Sequence, residues 1–208
     1  MLVGGANVKD CQQPESGLWR SPDGGATWSV VPIGTLLKFD DKSGHGCVLA
    51  DIQGLAGGPG RLYAATSHVG VITSVDAGLN WYPTGALPGT RPHDLIAIAT
   101  APDDAARVYT LASAGGLFRS TDGGKVWQRL DAQAAPEICA QGQPLTATLV
   151  AGALLVTPRY VIVGTSNLWT GLRPGDMPAG LYVSADGGSC WQRISPEGEN
   201  LNYKRIAA

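Results

Sequence analysis

Short apolar runs recur along the whole chain, each cut off after a few residues by glycine, proline, serine or aspartate. GLWR, GVIT, GLFR and GLYV are four of them, and RLYAATS, RVYTLAS and YVIVGTS are three more. None shows the spacing of three and four residues that an amphipathic helix needs. Runs of this length between turn-forming residues predict strands. With 29 glycines and 14 prolines, the expectation is an all-β protein of many short strands joined by tight turns.

The strands carry an internal repeat. After each of the first four runs comes S-x-D-x-G-x-x-W. The copies are Ser21, Asp23, Gly25 and Trp28; Ser74, Asp76, Gly78 and Trp81; Ser120, Asp122, Gly124 and Trp127; and Ser184, Asp186, Gly188 and Trp191. The pattern predicts a hairpin. The aspartate accepts backbone N–H bonds within the turn. The shared glycine supplies a positive φ, and the tryptophan opens the next strand with a large apolar face to bury. A further strand precedes each of these: MLVGGAN, RLYAATS, RVYTLAS and YVIVGTS. Before three of them lies another apolar run: CVLADIQ, DLIAIAT and LTATLVA.

Four strands, A to D, in units of roughly 50 residues are what a β-propeller blade requires. The predicted architecture is therefore one β-propeller domain of four-stranded antiparallel blades over 1–208. The four blades cover approximately 1–32, 46–84, 93–131 and 145–195. The first blade lacks strand A, and the segment LNYKRIAA, 201–208, aligns with strand A and would complete it by pairing with 1–7. A larger propeller of which these blades form a part is the alternative.

Composition narrows function by exclusion. Charged residues make up 15% of the chain and the formal net charge is −2, which excludes the basic footprint of a nucleic-acid binder. No run reaches the roughly 18 apolar residues of a membrane-spanning helix. The start, MLVGGANVKD, has no basic n-region or long apolar core, so the expectation is a cytoplasmic protein or a mature exported form. Cys11, Cys47, Cys139 and Cys190 are widely spaced without C-x-x-C, leaving two disulfides or free thiols open.

The four motifs closely resemble the Asp-box (BNR) repeat found in sialidases, xyloglucan-degrading glycosidases, sortilin-type receptors and photosystem II assembly factors. The resemblance covers essentially the whole chain. It implies a propeller in which the Asp box is a structural turn away from the catalytic face, and it does not specify an activity. A sialidase would need an early F/Y-R-I-P arginine motif, for which YKRIAA at 203–208 is a poor match at the wrong end. It would also need a Tyr–Glu nucleophile pair, yet the four glutamates, Glu15, Glu137, Glu197 and Glu199, fall outside strand centres. A xyloglucanase-like enzyme would need two opposed carboxylates, commonly between two propellers. GLWRSPDGGATW and GLFRSTDGGKVW also look like the assembly-factor group, which binds protein partners.

Strand alternation puts the A–B and C–D turns on one face and the B–C and D–A connections on the other. Long insertions fall on the second face, at 7–17, 32–46, 131–144 and 166–180, and binding residues concentrate on such loops. The candidate binding face therefore comprises His45, His68, His93, Trp169, Arg173 and Asp176. The three histidines are too scattered to predict a metal site. Each Asp-box turn offers a single carboxylate where calcium requires six to eight oxygens. No catalytic residue and no cofactor is expected. The expected role is a non-catalytic protein-binding or assembly module, with carbohydrate as a further ligand class. A glycoside hydrolase or fragment of one, and a structural subunit of a larger complex, are the alternatives.

Overall fold

The computed structural model describes residues 1–4, 17–41, 46–58, 60–89, 95–113, 116–130, 151–165 and 180–196. These residues form an all-β fold of antiparallel sheets. The first sheet has three strands, β1 (Leu2–Gly4), β2 (Leu18–Arg20) and β3 (Ser29–Val30). After it come a single helical turn, α1 (Gly34–Leu37), and a hairpin of β4 (Lys38–Asp41) and β5 (Gly46–Leu49). The second sheet is β6 (Ile52–Gly58), β7 (Arg61–Thr66), β8 (Val71–Ser74) and β9 (Tyr82–Pro83). The third is β10 (Leu95–Ala101), β11 (Asp104–Ala112), β12 (Leu117–Ser120) and β13 (Gln128–Arg129). The fourth is β14 (Ala151–Val156), β15 (Val161–Thr165), β16 (Gly180–Ser184) and β17 (Gln192–Arg193).

Every sheet is a meander whose strands lie in chain order. The ladders are in the same register throughout. Leu62 faces Ser74, Val108 faces Ser120 and Val161 faces Ser184, so in the second, third and fourth sheets the motif serine ends the third strand. The sheets stack face to face, β1 on β6, β6 on β10 and β10 on β14. Among the described residues no comparable packing joins the fourth sheet to the first.

Three apolar layers fill the spaces between sheets. Leu18, Val31, Ala64, Ile72 and Trp81 pack between the first and second, with Ile33 and Leu37 of the α1 region closing one side. Tyr63, Val71, Val108, Phe118 and Trp127 pack between the second and third. Tyr109, Leu111, Leu117, Leu130, Val163, Tyr182 and Trp191 pack between the third and fourth. Period-2 alternation sends successive residues of one strand into opposite layers. Tyr63 and Ala64 are neighbours on β7 yet belong to different layers, and both are fully buried.

Two strands sit elsewhere than the run pattern predicts. CVLADIQ does not form strand A of the second sheet, because Gly46–Leu49 pairs with Lys38–Asp41. The inner strand is instead Ile52–Gly58, since an antiparallel neighbour on a tight turn must end next to Arg61, its partner for Gly58. Its glycines read as a loop, but they are sites of close approach. A Cβ on Gly54 would lie 3.3 Å from Ile98, and one on Gly58 3.2 Å from Ala105. In the fourth sheet the described inner strand is AGALLV at 151–156, and of LTATLVA, expected there, residues 145–150 lie outside the described residues. The span 32–46, expected as a connection, contains α1 and β4. The pairing expected between 201–208 and 1–7 lies outside the described residues, and so do the side chains of Cys11, Cys47 and Cys139. Cys190 is disulfide-bonded.

Candidate functional site

The four S-x-D-x-G-x-x-W turns share one hydrogen-bond pattern. The serine hydroxyl, buried in every copy, donates to the aspartate at 2.6–2.8 Å. It also accepts the N–H of the motif glycine, at 2.7 Å for Gly25 and 2.9 Å for Gly124. The carboxylate then accepts the N–H six residues beyond the serine: Thr27, Asn80, Val126 and Cys190, at 2.9–3.0 Å. The motif glycines have φ between 83° and 104°, a conformation reached at little steric cost only without a side chain. The indole N–H closes the turn on the glycine carbonyl in three copies, while that of Trp127 donates to Thr84.

These bonds hold all four carboxyls below the usual range. For Asp23 the hydroxyl of Thr27 is the largest cause. Asp76 lies at about 2, chiefly through the N–H and side-chain amide of Asn80. The N–H of Val126 leads for Asp122. For Asp186 burial acts most strongly and in the opposite direction, but the N–H groups of Cys190 and Ser189 and the Ser184 hydroxyl outweigh it. A carboxyl depressed on folding contributes stability that is complete above its unfolded value, near 3.9, and is lost as pH falls through its folded value. The thermal midpoint is therefore expected to hold steady above about pH 5 and to fall between about pH 4 and pH 2. Thermal unfolding against pH checks this, and Asp76→Asn should flatten part of the slope.

Contacts between sheets hang on the same turns. Arg20 Nε donates to the carbonyl of Ala77 at 2.8 Å, Arg61 Nη1 to Gly123 at 3.2 Å and Arg119 Nη1 to Gly187 at 2.9 Å. Each acceptor is the residue after a motif aspartate, on the following sheet. Tyr63 and Tyr109 add hydroxyl bonds across the same seams, to Ala105 and Gly187. The sequence hints at this in GLWR and GLFR. GVIT breaks the pattern, because the second sheet supplies its arginine from β7.

Between the first and second sheets a cleft of about 600 Å³ opens on the face that carries these turns. Leu2, Pro22, Leu55 and Ala56 give it apolar walls, and Arg20 and Arg61 stand at it. A smaller recess next to it is bounded by Arg61, Asp103 and Asp104. Asp103 pairs with Arg107 at 2.6 Å, and Asp104 accepts the N–H of Ala106 at 2.9 Å. No run pattern marks the cleft, because its lining comes from strands distant in sequence.

Of the residues expected on the opposite face, His68 is described. Its Nδ1 lies 2.8 Å from the Ser67 hydroxyl, which in turn accepts the N–H of Asp51. His68 thus belongs to the network that ties β7 to the segment before β6. His45, His93, Trp169, Arg173 and Asp176 lie outside the described residues. Among the described residues no three histidine, cysteine or acidic side chains cluster as metal ligands. Among them too, no helix is long and apolar enough to cross a membrane.

No family model matches the chain. No curated protein matches it either. Solved structures do. YCF48 from Cyanidioschyzon merolae aligns at 14% identity and TM-score 0.55, over 86% of this chain and 50% of that one. YCF48 bound to D1 peptide aligns at 16% identity and TM-score 0.51, over 88% and 48%. An ancestral GH74 enzyme gives 22% identity and TM-score 0.49, over 69% and 18%. The chain thus spans half or less of each of these proteins, and the likeness is one of fold.

Proposed function

We propose that the protein is a non-catalytic, propeller-type binding or assembly module that holds a polypeptide segment in the cleft between its first and second sheets. The makeup of that cleft carries the reading: apolar walls beside two arginines, with no carboxylate among the described residues of its lining. Such a cleft suits an apolar side chain next to an acidic group. Each guanidinium has five N–H donors and gives one to a seam between sheets, Arg61 with a further bond to Tyr63, which leaves donors for a carboxylate. The motif aspartates are engaged in their own turns and serve the architecture. YCF48, similar in fold, has been solved with a bound peptide, which supports a peptide ligand by analogy alone.

Selection from a displayed peptide library, followed by calorimetry on the enriched sequences, tests the reading. Enriched peptides should carry an apolar residue beside Asp or Glu. They should slow amide exchange over 55–62, and Pro22→Glu, at an exposed position of the lining, should weaken them at least about tenfold by placing a competing carboxylate beside the arginines. Release of reducing sugar from xyloglucan or from sialosides would overturn the proposal.

A further inference from the structure

The two end faces of the sheet stack expose apolar side chains whose apolar counterparts in the other sheets are buried. Trp28 is 38% exposed, whereas Trp81, Trp127 and Trp191 at the same motif position are buried. Trp19 is 42% exposed, whereas Ile72, Phe118 and Tyr182 at its ladder position are completely buried. At the other end Ile194 is 53% exposed. Its counterparts Val31 and Leu130, whose N–H groups make the equivalent bonds to Leu18 and Leu117, are buried.

The polar seam is unfinished at the same two places. Gly123 and Gly187 are covered by Arg61 and Arg119 of the preceding sheet, whereas nothing lies within 4 Å of a Cβ built on their counterpart, Gly24. On the fourth sheet Tyr160 precedes Val161 as Arg61 precedes Leu62, and it is exposed. The first sheet therefore presents the receiving half of the repeated junction and the fourth sheet presents the donating half. Apolar surface of this kind marks an interface.

We propose that a second copy of this chain covers both faces. The first sheet of each copy packs on the fourth sheet of the other, so that two copies related by a two-fold axis close one ring. Both junctions would repeat the contacts already made three times within the chain. Trp28 and Trp19 would lie against Ile194 and its neighbours Leu181 and Val183, with the Tyr160 hydroxyl donating to the Gly24 carbonyl. Closure of the four sheets on themselves, the expectation from the sequence, would set the fourth sheet of the same chain against Trp19 and Trp28, and among the described residues no such packing joins the two sheets. A head-to-tail contact that closes by a two-fold has no free ends and does not polymerise.

Sedimentation equilibrium of the wild-type chain over a dilution series tests this without any substitution. The expected species has twice the 21.5 kDa chain mass and dissociates on dilution. Trp19→Glu and Ile194→Glu each place a charge in both junctions and should give monomers, with thermal midpoints showing that they remain folded. Mixed one to one, the two variants should recover dimer, because one junction of the mixed ring is then wild type. A wild-type chain that stays monomeric at the highest attainable concentration overturns the proposal. So does an Ile194→Glu chain that stays dimeric while Trp19→Glu does not, which would mean a contact between two first sheets. Polymers that grow with concentration also overturn it.

Discussion

Trp191→Ala is expected to cost about 3–5 kcal/mol of stability, and Trp28→Ala less than half of that, although both residues hold the same motif position. Trp191 is 1% exposed between the third and fourth sheets, against Leu130, Tyr109 and Tyr182. Removing its ring leaves a cavity that the sheets on either side prevent from collapsing, so the cavity cost adds to the lost burial. Trp28 lies on an end face that water reaches. Truncation there leaves a dent that solvent fills, and only the burial term is lost. For a chain of this length each kcal/mol shifts the thermal midpoint by about 2–4 °C. Urea unfolding of the two variants under conditions where the chain is monomeric checks the difference. Equal losses would mean that the first sheet is covered within one chain.

Gly85→Ala is the second large effect, about 3 kcal/mol, and it acts on a seam instead of a core. Gly85 N–H donates to the Gly124 carbonyl at 2.7 Å, joining the end of the second sheet to the motif turn of the third. A Cβ on Gly85 would overlap the Lys125 carbonyl oxygen. That neighbour is backbone within a turn tied down by Ser120 and Asp122, so it has no rotamer into which to retreat. The two sheets must separate locally, and the hydrogen bond is lost with them. Gly24→Ala provides the comparison. Its φ of 73° strains any side chain, but no atom stands in the way of the Cβ. A larger loss for Gly85→Ala in chemical unfolding, together with faster exchange of the amides at 124–126, is the expected outcome.

The turns were fully legible in the sequence because their chemistry is local. A serine, an aspartate two residues on, a glycine four on and a tryptophan seven on satisfy one another within a single turn. Hence the four copies announce the same serine, aspartate and glycine geometry, and only the Trp127 indole reaches outside its turn, to Thr84. The strand before each motif could also be read, since it ends on the motif serine or, in the first unit, one residue before it. The inner strands were harder. IQGLAGG has the composition of a loop, and only its packing against β10 and the short turn to β7 make it a strand. Conversely GCVL has the composition of an inner strand but pairs with KFDD in a separate hairpin.

The sequence by itself determined the all-β class, the repeated unit and the conformation of each turn, because these follow from hydrogen bonds spanning six residues or fewer and from alternation along single strands. Only the tertiary structure decided which strands are innermost, which arginine bridges to which sheet, where the cleft opens and which of four equivalent tryptophans remain exposed. These depend on what lies across a gap between sheets, roughly 10 Å between face-to-face layers, from residues 40 or more positions away in the chain. Trp28 and Trp191 occupy the same position in identical motifs. They differ because one has a sheet in front of it and the other faces water.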